Sequence, residues 1–153
     1  MRTLLVLVLM AVTLGTACSS GGPTVRREPP GVQLESLRLD GDRARLGLLL
    51  HNRNDHRIQV RALRLAMMLG DETLIEDRWS VVLDIGPRVR ERVPLETMAR
   101  PGALDRLARL DAGDDASIGY RLLSEVELID QSRTEQRREG FLHPVPGQPG
   151  RYR

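Results

Sequence analysis

Residues 51–56 hold the densest group of polar side chains in the sequence: His51, Asn52, Asn54, Asp55 and His56. Two imidazoles and a carboxylate are donors that zinc accepts. The spacing argues against it, because His51 and His56 stand five apart across a turn with no cysteine ligand and no third fixed donor. This segment is therefore read as a turn whose Asn side chains bond local backbone, and no metal is expected. Asp111, Asp114 and Asp115 lack the ligand spacing of a calcium loop and read as turn and cap residues. Glu125 and Glu127 share one strand face, where alternating charge is the ordinary wet side of a strand rather than an acid–base pair. Ser36, Ser80, Ser117, Ser124 and Ser132 sit in no nucleophile elbow, and neither a phosphate loop nor a dinucleotide fingerprint occurs. No catalytic residue and no cofactor is expected, so the chain is not read as an enzyme. Arg88, Arg90 and Arg92 alternate as a stripe that can touch an anionic lipid surface. Charge along an edge strand also blocks edge-to-edge aggregation, and that is the preferred reading. Trp79 is expected to anchor the core.

Cys18 is the one cysteine in the 153 residues, so no intramolecular disulfide can form. It follows Met1-Arg2-Thr3, an apolar run from Leu4 to Leu14, and the small residues Gly15-Thr16-Ala17. That run is shorter than the ~20 residues a spanning helix needs and has the layout of an export signal. Leu14-Gly15-Thr16-Ala17-Cys18 resembles a lipobox, in which the thiol receives diacylglycerol and the chain is cut before it. Gly15 departs from the preferred Leu. Gly15-Thr16-Ala17 also suits an ordinary signal peptidase, which would release a soluble chain. Lipidation is the reading carried forward: residues 1–17 as lipoprotein signal, Cys18 as lipidation site, and 18–30 as a flexible Ser/Gly/Pro tether. The partner so implied is a lipid bilayer through acylated Cys18. Ser19 after the cysteine resembles the sorting signal for the outer membrane, facing the periplasm, of a Gram-negative cell envelope.

Residues 31–142 suffice for one domain, and 143–153, rich in Pro and Gly, read as a loose tail. Aromatics are only 3%, so the core must come from Leu, Val, Ile and Met. All 23 basic residues are Arg, a mark of a GC-rich genome, and the formal net charge is +2. That balance argues against nucleic acid as a partner. Ala44, Leu46, Leu48 and Leu50 alternate with polar positions as in a half-buried strand, and Asp40-Gly41-Asp42 before them is a hairpin signal. Ile58 to Leu69 fits either a helix or a strand, and its β-branched start and closing Gly70-Asp71 favour a strand. Trp79–Ile85 and Arg88–Thr97 flank a Gly86-Pro87 turn, with Pro94 placing the second at an edge. Pro101 opens a short helix with Leu104, Leu107 and Ala108 on one face. Ile118, Tyr120 and Leu122 resume alternation, with a phase slip at Leu123-Ser124, and Ser132–Leu142 is a weak last strand. About seven short strands and one short helix predict an all-β, immunoglobulin-like sandwich.

The opening Pro30-Gly31-Val32-Gln33-Leu34, and the strand closing on Leu50-His51-Asn52-Arg53-Asn54, resemble the late embryogenesis abundant type 2 family, also called the water stress and hypersensitive response domain. There a Pro-x-Val-x-Leu strand precedes one ending in Asn-Pro-Asn. Arg53 stands in place of that Pro. The strand order after it, with the Gly70 and Gly86-Pro87 turns, extends the resemblance over about residues 30–142. It implies a fibronectin type III-like sandwich, a structural turn role for Asn52 and Asn54, and a non-enzymatic role in desiccation or osmotic stress at a membrane surface or on client proteins. The competing expectation is a periplasmic protein–protein interaction or adaptor module that docks a partner through an exposed edge or apolar patch.

Overall fold

Alternating apolar residues bury every second side chain when the backbone is extended, and these runs become the strands of a β-sandwich. The computed structural model describes residues 28–153. The expected signal 1–17, Cys18 and most of the tether lie outside the described residues. The strands are β1 (Gly31–Asp40), β2 (Arg43–His51), β3 (Ile58–Leu69), β4 (Glu72–Ile85), β5 (Arg90–Met98), β6 (Ile118–Leu128), β7 (Arg133–Leu142) and β8 (Arg151–Tyr152), with one helix, α1 (Pro101–Ala112), between β5 and β6. They form two antiparallel sheets in the orders β5-β2-β1-β8 and β4-β3-β6-β7. Leu34, Leu46, Leu48 and Leu50 of the first sheet meet Leu63, Leu65, Met67 and Val126 of the second in a core of almost wholly aliphatic side chains. Each such side chain, fully buried, contributes about 1.5–3 kcal/mol of transfer free energy.

Two hairpins set the register. Gly41 and Gly70 open the β1–β2 and β3–β4 turns with φ of 62° and 60°, which a side chain disfavours and the first central residue of a tight hairpin turn requires. β5 is an edge strand, so Pro94, opposite Gly47, costs the sheet no second ladder. At the margin where β4 approaches β5, Trp79 Nε1 donates to the Glu96 carbonyl at 2.9 Å and Thr97 Oγ1 donates to Asp77 Oδ2 at 2.7 Å. Trp79 is only partly buried there, so it closes the side of the sandwich instead of anchoring its centre. Helix α1 begins at Pro101, as its φ favours, and ends where Gly113 and Asp114 return N–H bonds to Leu110 and Arg109. It buries Ala103, Leu107 and Leu110, while Ala108, expected on the inner face, is exposed.

Several expectations are corrected. β4 starts at Glu72, seven residues before the expected Trp79, because Leu74 and Ile75 are buried ahead of the charged run Glu76-Asp77-Arg78. β5 starts at Arg90, since Arg88 has φ 60° and belongs to the turn. No phase slip occurs in β6: Leu122, Ser124 and Val126 all point inward, with a serine where an apolar residue was sought. The tail is not loose. Tyr152 is 1% exposed, and β8 pairs with Leu37 and Arg38 of β1, so the sandwich has eight strands. Fixed structure also begins before Gly31, because Glu28 is held by Asn54 and Pro30 is buried.

Candidate functional site

The loops 52–57, 86–89 and 129–132 gather at the end of the sandwich where the chain enters β1, and Asn52 lies at their centre with no exposed surface. Its amide Nδ2 donates to the carbonyls of His56 (2.8 Å), Ile85 (3.1 Å) and Gly86 (2.9 Å), two hydrogens shared among three acceptors. Its Oδ1 accepts from the Asn54 backbone N–H (3.0 Å) and Nδ2 (3.1 Å). One buried side chain thus supplies hydrogen-bond partners to backbone groups of two loops, the Gly86 carbonyl accepting also from Val89 N–H at 3.3 Å. Asn54 passes the constraint to the incoming chain. Its Oδ1 accepts from Glu28 N–H (2.7 Å) and its Nδ2 donates to the Glu28 carbonyl (2.9 Å), as a neighbouring strand's peptide would. Amides do not titrate, so this pair fixes where the N-terminal segment leaves the domain rather than moving protons.

The three arginines of the expected stripe are separated in their contacts. Arg88 Nε donates to Asp55 Oδ1 at 2.8 Å, and this pairing holds the Asp55 carboxyl below its ordinary range. Arg92 Nη2 donates to Glu35 Oε1 at 2.7 Å across the bulge in β1. Both are exposed pairs whose attraction water and salt screen. Arg90, by contrast, has no carboxylate partner among the described residues.

Glu125 and Glu127 point to the outer face of the second sheet, but Glu127 is only 5% exposed. Arg78 Nη2 donates to it at 2.6 Å, and Arg61 and Arg133 lie 3.4 and 4.0 Å away. The Arg78 hydrogen bond, aided by the charge of Arg61, keeps this carboxyl well below the usual range. A carboxylate so held is a poor proton donor near neutrality. Asp111, read as a cap residue, accepts from the Tyr152 hydroxyl at 2.8 Å and from Gly150 N–H at 3.0 Å, tying β8 to the helix. His51 lies on the outer face of β2 and His56 contributes its backbone carbonyl to Asn52. No group of three or more His, Cys, Asp or Glu able to hold a metal occurs among the described residues, and no helix there is long and apolar enough to cross a membrane. A surface recess of about 480 Å³ lies on the outer face of the second sheet among Arg64, Glu76, Glu125, Glu135 and Arg137. Glu28, Arg61 and Arg138 carry no signal in the sequence, and Arg53 shows there only as a departure from the Asn-Pro-Asn motif, because contacts made by backbone or across distant strands leave no local pattern.

No family model matches the chain, and no curated protein matches it. Solved structures do. The solution structure of AT1g01470 from Arabidopsis thaliana is similar at a TM-score of 0.61 and 13% identity, over 80% of this chain and 86% of that one. The sandwich is shared. A crystal structure of a protein from Archaeoglobus fulgidus is similar at a TM-score of 0.50 and 10% identity, over 77% of this chain and 97% of that one. AT1g01470 is a LEA14-like protein, and at such identities the likeness extends to the sandwich fold alone.

Proposed function

We propose that this chain is a non-enzymatic, membrane-anchored stress-protective lipoprotein of the bacterial cell envelope, held through acylated Cys18 on the outer membrane and facing the periplasm. The observation that carries the reading is the fold shared with a LEA14-like protein, since the sequence resembles that family at its Pro30–Leu34 and Asn52–Asn54 motifs. The Asn54 clamp on Glu28 supports it physically. A tether that enters at a fixed point gives a lipid anchor a defined end of the sandwich to hold near the bilayer. Two or three acyl chains, at about 0.8 kcal/mol per buried methylene, would make attachment durable. Cells lacking the gene are expected to lose viability on drying or osmotic shock, and unchanged survival would remove the stress role. Radioactive palmitate is expected to label the wild type and not Cys18→Ala; label persisting in the variant would remove the anchor.

A second reading, an interaction module, is favoured by one observation. Val82 is 97% exposed on the edge strand β4, at a bulge within the uncharged stretch Trp79–Leu83. Edge strands with free apolar side chains are where partner strands add. Recovery of one stoichiometric partner, lost in Val82→Glu, would support this reading over the first.

A further inference from the structure

Arg90, the unpaired member of the 88–92 series, lies in a recess of about 140 Å³ whose walls include Arg53, Arg138, His51 and Gln33. The two further arginines come from elements far apart in the chain, the β2–β3 loop and strand β7 of the other sheet. Cross-strand register explains the convergence. Gly31 faces His51 and His51 faces Arg90, so the three form one row on the outer face of the first sheet, next to the row containing Gln33 and Leu49. Arg53 folds back over the glycine: a Cβ at Gly31 would stand 3.1 Å from its Nη2 and 3.3 Å from its Nε, a close approach that a side chain would crowd. Gln136 on β7 donates through Nε2 to the Pro30 carbonyl, bringing that strand's edge, and Arg138 with it, against the start of β1.

No carboxylate lines this recess, and none of its three guanidinium groups has an ion-pair partner among the described residues. Among the described residues many arginines elsewhere are neutralised, though Arg38, Arg43 and Arg109 are not: Arg45, Arg57, Arg64, Arg78, Arg88, Arg92, Arg100, Arg121 and Arg137 each meet an acid within 3.5 Å. Three unneutralised cations around one concavity repel one another, and a tetrahedral oxyanion relieves that repulsion while accepting forked N–H bonds from each. We infer that Arg53, Arg90 and Arg138, with His51 and Gln33, form a binding site for a phosphate group, either free phosphate or the phosphate of a lipid headgroup. The site borders Pro30 and Gly31, where the N-terminal segment joins the domain. It does not depend on the Cys18 anchor.

The test uses residues 18–153 with Cys18→Ala, which retains the whole sandwich and removes any acyl chain. Titration with inorganic phosphate, followed by the NMR signals of arginine Nε–H groups, is expected to shift Arg53, Arg90 and Arg138 saturably if free phosphate is the ligand. Sedimentation with phosphatidylglycerol vesicles, and not with phosphatidylcholine vesicles, is expected if the headgroup is. In either arm Arg90→Gln should weaken binding roughly tenfold, the loss of one charge-assisted pair. Arg92→Gln removes the same charge two residues away, from a group already paired with Glu35, and should leave binding unchanged. Absence of saturable binding in both arms, or an equal loss in Arg92→Gln, overturns the site. Melting curves of each variant ensure that a loss reflects the side chain and not unfolding.

Discussion

Asn52 shows how much one neutral side chain can hold. Five hydrogen bonds run through its amide, and its neighbours reach the entering chain at Glu28 and both turns at that end. Because the amide is fully buried, its removal takes this donor from the carbonyls of His56 and Ile85, leaves that of Gly86 with only the Val89 N–H at 3.3 Å, and leaves the Asn54 N–H without its acceptor. Buried groups so orphaned cost about 1–3 kcal/mol each, partly recovered by relaxation and water. Asn52→Ala is therefore expected to lower unfolding stability in urea by about 3 kcal/mol. Asn54→Ala, whose bonds to Glu28 are partly exposed, should cost about 1 kcal/mol and speed hydrogen exchange at the Glu28 amide. An Asn52→Ala protein as stable as wild type would show that the loop carbonyls are satisfied in some other way.

Among the elements, β8 is only two residues long, yet it contributes the one aromatic ring that is completely enclosed. Tyr152 packs against the β1 side of the core, and its hydroxyl anchors to Asp111 at the end of α1. Tyr152→Ala is expected to cost about 3–5 kcal/mol, as for other large-to-small changes in a core. Tyr152→Phe keeps the packing and should cost about 1 kcal/mol, both values read from urea unfolding. The sequence concealed this element because its neighbours are Pro and Gly and two residues display no period. β4 was hidden in its first half for a different reason: Glu76-Asp77-Arg78 interrupts the alternation, while pairing with β3 across eleven residue pairs continues through it. Strands β1, β2 and β3 were legible because each alternates, or is apolar throughout, over at least four residues between turn signals. The end of the sandwich was half legible. Asn52 and Asn54 announce a turn by residue type, whereas Arg53, Arg90 and Arg138 come together only through sheet register and the meeting of two sheet edges.

Over the whole molecule, the exclusive use of arginine makes the pH dependence of stability unusually easy to assign. All 23 basic side chains are Arg and remain charged well past pH 11, so no lysine titration obscures the alkaline range. Two tyrosines and one cysteine are the remaining alkaline side-chain groups. Burial, and then the hydrogen bond to Asp111, raise the Tyr152 hydroxyl far above its ordinary 10.0, and burial also raises Tyr120. A raised acid pKa in the folded chain means that the unfolded chain releases its proton first. Stability is then fully present below about pH 10 and falls as pH rises beyond it. On the acid side, Glu127, Glu139 and Asp55 are all lowered, chiefly by arginine hydrogen bonds. Their contribution is present above the unfolded value, 4.5 for a Glu, and is lost as pH falls through the depressed folded value. Thermal midpoints measured from pH 2 to 12 should therefore trace a plateau with two separable limbs. Glu127→Gln should make the acid limb shallower and leave the alkaline limb as it is, and Tyr152→Phe the reverse. Tyrosinate absorbance should rise at higher pH in the native protein than in the unfolded chain, and Tyr152→Phe should reduce that difference. An alkaline limb unchanged in Tyr152→Phe would mean that the hydroxyl on Asp111 is not what couples the C-terminal strand to the fold.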